Sequence, residues 1–392
     1  MTNIREDLKF RCSLKDTVLQ SGLEWRSRQN VYPFDEKYST IFMNAQRKEL
    51  FWIYQGDIPS ESQIICEGGI NWCVRSDSFE MAGKSNRHLS SFEMLGINGI
   101  MREDDAIEKT VRLLTLDTGI HPEQIFTNLS GDNKLAISTL LDLGISIRNK
   151  PLDFSRIDTN RSGHRLEFNI SFESKNGINQ EWEVQNMVVL TNIGGIQIRK
   201  PIIDSGGSFE RLIAIKEGVE DIFESSILKP SVDYVKQFFS KKNIFEKKIA
   251  ESFVDLTRTA IIMSESGFII GTKTRQEQTF RKLAREIGIR LIKYEINLSD
   301  YLNIISFIKK EKNIFNDYSD KYQEDLNYLE KSGFILMIEN MLSTYGKIYE
   351  KLLDGKNNGL DLNELTKKFS KKYDGASDNG IAKLAFDRIS VY

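Results

Sequence analysis

At 392 residues, with 40% hydrophobic and 28% charged residues, the chain is long enough for about two to three domains with proper cores and falls outside the disordered class. A formal net charge of −2 excludes a global electrostatic pull toward nucleic acid or membrane, so any such surface must be local. Cys12, Cys66 and Cys73 form no CxxC pair, and His88, His121 and His164 are scattered, which speaks against a disulfide framework and against a Cys/His zinc site. The first residues, MTNIREDLKFRC, hold no apolar signal core, and no apolar run reaches the ~18 residues of a membrane span. The expectation is a soluble, cytoplasmic protein with no membrane partner.

Along the chain, STIFMNA (39–45), WCVRS (72–76) and LSSFEML (89–95) read as strands from their β-branched and aromatic content. AIEKTVRLLTLDTG (106–119) and NKLAISTLLDLG (133–144) follow with helical apolar spacing and close on glycine, a natural C-cap. RLEFNISFE (165–173) and EWEVQNMVVLTN (181–192) return to strand alternation. KPIIDSGGSFERL (200–212) then reads as a strand, a small-residue turn and a helix start. Most strands come without intervening helices, which predicts an α+β fold built on a mainly antiparallel sheet flanked by helices. After LKPSVDY (228–234) proline disappears, and Lys, Glu, Leu, Ile and Phe recur at helical spacing. A domain boundary is therefore expected near residues 230–240, dividing a first domain, 1–235, from an all-helical second, 236–392. The Lys/Asn-rich stretch 355–373 reads as a solvated loop or helix end.

One stretch carries chemistry: CVRSDSFEMAGKSNRHLSSFEMLG (73–96). Arg75 and Arg87, on strands expected to face each other, suit a polyphosphate, and Phe92 suits a flat base. Gly206 and Gly207 let backbone approach a ligand closely, with Arg211 in the helical turn that follows. Each feature alone has a plainer explanation: surface ion pairs, a core phenylalanine, a tight strand–helix connection, and for Asp132 a helix N-cap. His121 and His164 read as structural.

Together the two stretches resemble motifs 2 and 3 of the class II aminoacyl-tRNA synthetases, specifically the alanyl-tRNA synthetase family. CVR (73–75) and RHLSSFEMLG (87–96) match its motif 2, and DSGGSFERL (204–212) is similar to DTGAGLERL of motif 3. TIFMNAQRKELFWIYQG (40–56) looks like the motif 1 region, and EVQNMVV (183–189) looks like EIWNLVF. In the helical part, DLTRTAIIMSESGFIIGTKTRQEQTFRKLARE (255–286) and IAKLAFD (381–387) find counterparts in the same order. The resemblance implies ATP and Mg²⁺ as cofactors and assigns roles. Arg75 would grip the α-phosphate and the amino-acid carboxylate. Arg87 and His88 would hold the β- and γ-phosphates, with Glu93 in the same ATP-binding set. Phe92 would stack under adenine and Arg211 close over it, making Arg75 and Arg211 the catalytic pair. Glu183 would hold magnesium. Asp204 would pair with the substrate ammonium, while Asn186, Val188 and Gly206 line the amino-acid pocket. Positioning and charge stabilisation suffice for such displacement at phosphorus, in keeping with the absence of a nucleophile–base pair.

Several departures shape the expectation. The motif 2 loop is short, with Lys84 standing where the family has a lysine, and the family's GPCGPCSEI segment is replaced by NRSGHRLEF (160–168). Gln185 stands in place of the tryptophan of EIWN. The pocket could therefore admit a side chain larger or more polar than that of alanine. Seven Lys/Arg (Lys273, Arg275, Arg281, Lys282, Arg285, Arg290 and Lys293) against Glu277 and Glu286 suit a phosphate backbone. Arg275, Arg281, Arg285 and Asp387 are thus the expected contacts to a tRNA acceptor stem. The family's asparagine reader of that stem is missing at 271–273, and no HxxxH editing set occurs. The resemblance implies ATP-dependent activation of a small amino acid to an aminoacyl-adenylate and its transfer to tRNA, which the helical domain and Asp387 keep ahead. These losses add weight to an alternative in which the activated amino acid is loaded onto a carrier protein or small molecule.

Overall fold

The computed structural model describes residues 6–26, 66–116, 118–129, 133–148, 161–193, 195–240, 247–271, 274–313, 332–374 and 380–390. The strand expected at 39–45 and most of the motif 1-like stretch, together with Asp132 and Lys273, lie outside the described residues. The chain divides into two compact units, Met1–Arg75 with Ser85–Pro230, and Ser76–Lys84 with Ser231–Tyr392.

The first unit is built on an eight-stranded sheet in the order β1-β2-β3-β8-β7-β6-β4-β5. Its strands are β1 (Glu24–Arg26), β2 (Glu67–Val74), β3 (Ser91–Ile100), β4 (Ile125–Leu129), β5 (Ser146–Arg148), β6 (Arg161–Glu173), β7 (Asn179–Ile193) and β8 (Ile196–Ser208). β1 runs parallel to β2 and β4 parallel to β5; the other pairs are antiparallel. The α+β architecture with a mainly antiparallel sheet is the one expected. The helices are α1 (Glu6–Gln20), α2 (Glu103–Thr115), α3 (Lys134–Asp142) and α4 (Phe209–Lys216). Gly144, at φ +75°, closes α3 in the left-handed conformation that a C-cap glycine supplies.

One face of the sheet is a helix face. Phe10, Leu14 and Val18 recur every fourth residue on α1 and are all buried. A Cβ placed on Gly68 would lie 2.9 Å from both Val18 methyls, so α1 rests directly on β2. Arg11 falls within this buried stripe and is neutralised there by Glu93 of β3. Phe10 stacks on Phe209 of α4 at 5.8 Å, which ties the two helices together over the sheet.

The small-residue segment 204–207 differs from its expected form. β8 runs unbroken through Gly206 and Gly207 to Ser208, and neither glycine has a positive φ. The demand there is for space. A Cβ on Gly207 would come within 1.8 Å of the Val184 carbonyl oxygen, and only glycine permits that approach.

The second unit is helical: α5 (Lys229–Ser240) leads into it, followed by α6 (Lys247–Glu265), α7 (Arg275–Lys293), α8 (Leu298–Asn313), α9 (Phe334–Asn357), α10 (Leu362–Phe369) and α11 (Ile381–Ser390). α6 is buried from Ile249 to Ser264, the pattern of a helix enclosed on all sides. Phe280 of α7 stacks on Phe334 of α9 at 4.8 Å, and Tyr234 of α5 on Phe307 of α8 at 4.0 Å. Ile292, Ile348, Leu352, Ile381, Ala385 and Ile389 close a second cluster between α7, α9 and α11.

Candidate active site on the sheet

Strand pleating sorts the expected site residues by face. β2 pairs with β3 so that Cys73 stands opposite Phe92 and Asn71 opposite Met94. Arg75, two residues beyond Cys73, falls on the Phe92 face by the same period of two. Its backbone N–H donates to the Ser90 carbonyl at 2.8 Å, and its side chain is exposed. Asn98, Asp204, Val188 and Arg165 stand opposite one another on β3, β8, β7 and β6. The adjacent row holds Gly206, Asn186 and Glu167. A Cβ on Gly206 would strike the Met94 sulfur at 2.6 Å, which places Gly206 and Met94 on the same side. Arg75, Phe92, Asn186, Val188, Asp204 and Gly206 therefore share the face opposite α1.

Glu93 does not join them. Pleating turns it to the helix face, where its side chain is 1% exposed and forms a two-point ion pair with Arg11. Its own N–H donates to both carboxylate oxygens of Glu210 in the first turn of α4, at 3.1 and 3.0 Å. Its expected place among the nucleotide ligands is corrected to a structural one, because odd residues of β3 face the helices. Gln185 is buried on the helix face, where its Nε2 donates to Ser205 Oγ at 2.7 Å and to the Leu95 carbonyl at 3.2 Å.

Arg211 sits in the first turn of α4, whose N-cap Ser208 accepts a hydrogen bond from the Arg211 N–H at 3.2 Å. Its guanidinium donates to the Glu183 carbonyl and, at 3.1 Å, to the Arg87 carbonyl. The buried Nε has no hydrogen-bond partner among the described residues. Burial pulls this guanidinium below the usual arginine range; Glu183 and Glu210 oppose that and Arg87 adds to it. Arg87 itself is exposed, donating to the Glu181 carbonyl at 2.9 Å with its guanidinium 5.9 Å from the Trp182 ring. His88 is exposed, its Nδ1 2.7 Å from Ser85 Oγ.

Glu183 is exposed, and its Oε1 accepts from Asn186 Nδ2 at 3.4 Å. Its neighbour Glu181 is engaged by Arg148, which holds its carboxyl below the usual range. Among the described residues no group of three or more His, Cys, Asp or Glu is arranged to hold a metal ion by itself. One exposed carboxylate fits a magnesium ion that arrives on nucleotide phosphates, the usual mode for a cation that keeps most of its waters and phosphate ligands.

Arg165 was missed in the sequence. Its Nε donates to Asn186 Oδ1 at 3.0 Å, and its Nη2 lies 3.0 Å from Glu167 Oε1. The polar alternation Arg165, Glu167, Asn169 on β6 was the available signal. His164, on the helix face, bonds Glu103 and Asn133, and His121 caps a short 3₁₀ turn, so both have structural surroundings.

The expected acceptor-stem residues lie in the second unit. Arg275 is exposed at the start of α7, and Arg285 is half-buried on the same helix. Arg281 is held by Glu277, which is 3% exposed and also accepts from the Gly271 N–H at 2.9 Å. Asp387, exposed on α11, pairs with Lys383 at 2.9 Å. Lys84 is exposed in the Ser76–Lys84 segment, where Glu80 pairs with Lys282 of α7 at 2.7 Å. Among the described residues no helix is long and apolar enough to cross a membrane.

No protein-family model matches the chain. Among curated proteins it is 26% identical over 302 residues to the alanine–tRNA ligase of Aliarcobacter butzleri, spanning 68% of this chain and 34% of that protein. It is 23% identical over 315 residues to the alanine–tRNA ligase of Petrotoga mobilis, spanning 71% of this chain and 36% of that one. The alanine–tRNA ligase of Tropheryma whipplei is 26% identical over 179 residues, 41% of this chain and 20% of that one. The matched part is thus roughly a third or less of the length of these relatives.

Proposed function

Because this chain is alanyl-tRNA synthetase-like, we propose that it activates a small amino acid with ATP to an aminoacyl-adenylate and transfers the aminoacyl group to tRNA. The observation that carries this reading is the shared sheet face of Arg75, Phe92, Asn186, Val188, Asp204 and Gly206. In the first step an oxygen of the amino-acid carboxylate attacks the α-phosphorus and pyrophosphate leaves. In the second, a terminal hydroxyl of the acceptor attacks the acyl carbon and AMP leaves. Arg75 is the cation at hand for the charge that builds on the α-phosphate, being exposed at the end of β2. Phe92 would offer its ring to the base, and Arg211, whose guanidinium donates to the Glu183 and Arg87 carbonyls, would close over its other face. Asp204 would hold the substrate ammonium over Val188. Glu183 would hold magnesium, which when bound neutralises charge on the leaving phosphates.

A second reading, in which the acceptor is a carrier protein or small molecule, draws on two contacts in the helical unit. Arg281 is engaged by Glu277 and Asp387 by Lys383, so two of the expected tRNA contacts are already satisfied internally. Amino-acid-dependent ATP–pyrophosphate exchange tests the first step, and transfer of labelled amino acid to total tRNA tests the second. Adenylate formation without salt-sensitive tRNA binding, and without charging, would transfer the assignment to the carrier-loading reading.

A further inference from the structure

We infer that the amino-acid pocket selects a short, uncharged side chain that both donates and accepts hydrogen bonds, a hydroxyl or a carboxamide, with Arg165 as the specificity-determining residue. The inference rests on the adenylation reading and names its substrate class. Arg165 stands directly across β7 from Asp204, with Val188 between them. Two strand gaps of about 4.8 Å each separate the two backbones. An α-amino acid whose ammonium sits at Asp204 would therefore direct a short side chain over Val188 toward Arg165. The end of that path is polar. The Arg165 guanidinium donates to Asn186 Oδ1 at 3.0 Å and pairs with Glu167 Oε1 at 3.0 Å.

The charge of this wall decides the class. A guanidinium has N–H donors in a planar fork and the carboxylate beside it has only acceptors, so the pair presents both kinds of partner side by side. An apolar methyl placed against it leaves the pair without new partners. A substrate carboxylate could satisfy Arg165 but would meet the like charge of Glu167. A neutral group with an O–H or N–H and an oxygen meets both. Arg165 and Glu167 are 33% and 15% exposed, so a ligand can reach them while much of the pair is shielded from solvent.

The test is ATP–pyrophosphate exchange with alanine, glycine, serine, threonine, asparagine, glutamine and aspartate, on the wild type and on Arg165→Met and Glu167→Gln. A site built to hydrogen-bond a substrate group rejects the analogue lacking it by large factors, so kcat/KM for one of the hydroxyl or amide amino acids should exceed that for alanine by roughly 10²-fold or more. Arg165→Met should bring that ratio down to about tenfold or less, and Glu167→Gln should lower it in the same direction. A wild-type melting temperature in either variant attributes the change to selection and not to folding. Preference for alanine or aspartate by the wild type, or a ratio unmoved in both folded variants, overturns the selection by Arg165 while leaving adenylation standing. Absence of exchange with every amino acid overturns the adenylation reading and this inference with it.

Discussion

Glu93→Gln separates a nucleotide ligand from a structural charge. Glu93 and Arg11 are 1% and 8% exposed at their side chains, and the pair joins β3 to α1 across the helix face. The substitution removes the charge opposite a buried guanidinium. Breaking such a pair by removing one partner costs about 3–5 kcal/mol, because the remaining charge stays desolvated. Against a typical total of about 5–15 kcal/mol, that is a large share of the stability of the unit. All four tryptophans, Trp25, Trp52, Trp72 and Trp182, precede residue 230, so urea unfolding followed by tryptophan fluorescence reports on this unit alone. The expected result is a midpoint lowered in proportion to that loss, with the KM for ATP in pyrophosphate exchange within about threefold of wild type. Replacing both partners, Arg11→Met with Glu93→Leu, should recover most of the loss, since an apolar pair of similar volume is often as stable as a buried ion pair. A stability loss below about 1 kcal/mol together with a tenfold rise in the KM for ATP would refute the placement on the helix face.

Other outcomes follow from the same geometry. Arg75→Ala should lower pyrophosphate exchange by roughly 10²–10³-fold with unchanged urea midpoint, as its side chain is exposed and its role is to meet developing charge. Asp204→Asn should raise the amino-acid KM by about 10–100-fold and the ATP KM far less, a split read from two-substrate kinetics. Gly206→Ala and Gly207→Ala should differ in kind. The first meets only the flexible Met94 side chain and should fold with a weakened amino-acid KM, whereas the second meets the Val184 carbonyl and should cost about 3 kcal/mol or more in urea unfolding. Arg275→Glu with Arg285→Glu should flatten the salt dependence of tRNA binding by about 0.9 in log–log slope for each phosphate no longer neutralised, and leave exchange unchanged.

The α+β class, the strand pair around Arg75 and Phe92, and the helical character of the region after residue 235 were all legible in the chain, because period-2 and period-3.6 patterns are local and survive without knowledge of neighbours. α1 was not legible. Its buried stripe contains Arg11, and a charge in a stripe reads as solvated until the partner, Glu93, is known to lie beneath it. The break expected at Gly206 and Gly207 failed for a related reason. Glycine marks either a turn or a close approach, and only the neighbouring strand's carbonyl, Val184, decides which. Which residues could serve the site depended in the same way on strand register. Residue types along β3 and β7 named the candidates, but a strand turns alternate side chains to opposite faces. The pairing of β6 with β7 shifts register between Phe168 and Asn169, where Val184 is the extra residue on β7, at the point where burial along β7 changes phase. That phase separates Asn186 and Val188 from Gln185, turns Glu93 away from Phe92, and brings Arg165 level with Asp204. It is a property of paired strands, and no single stretch of sequence contains it.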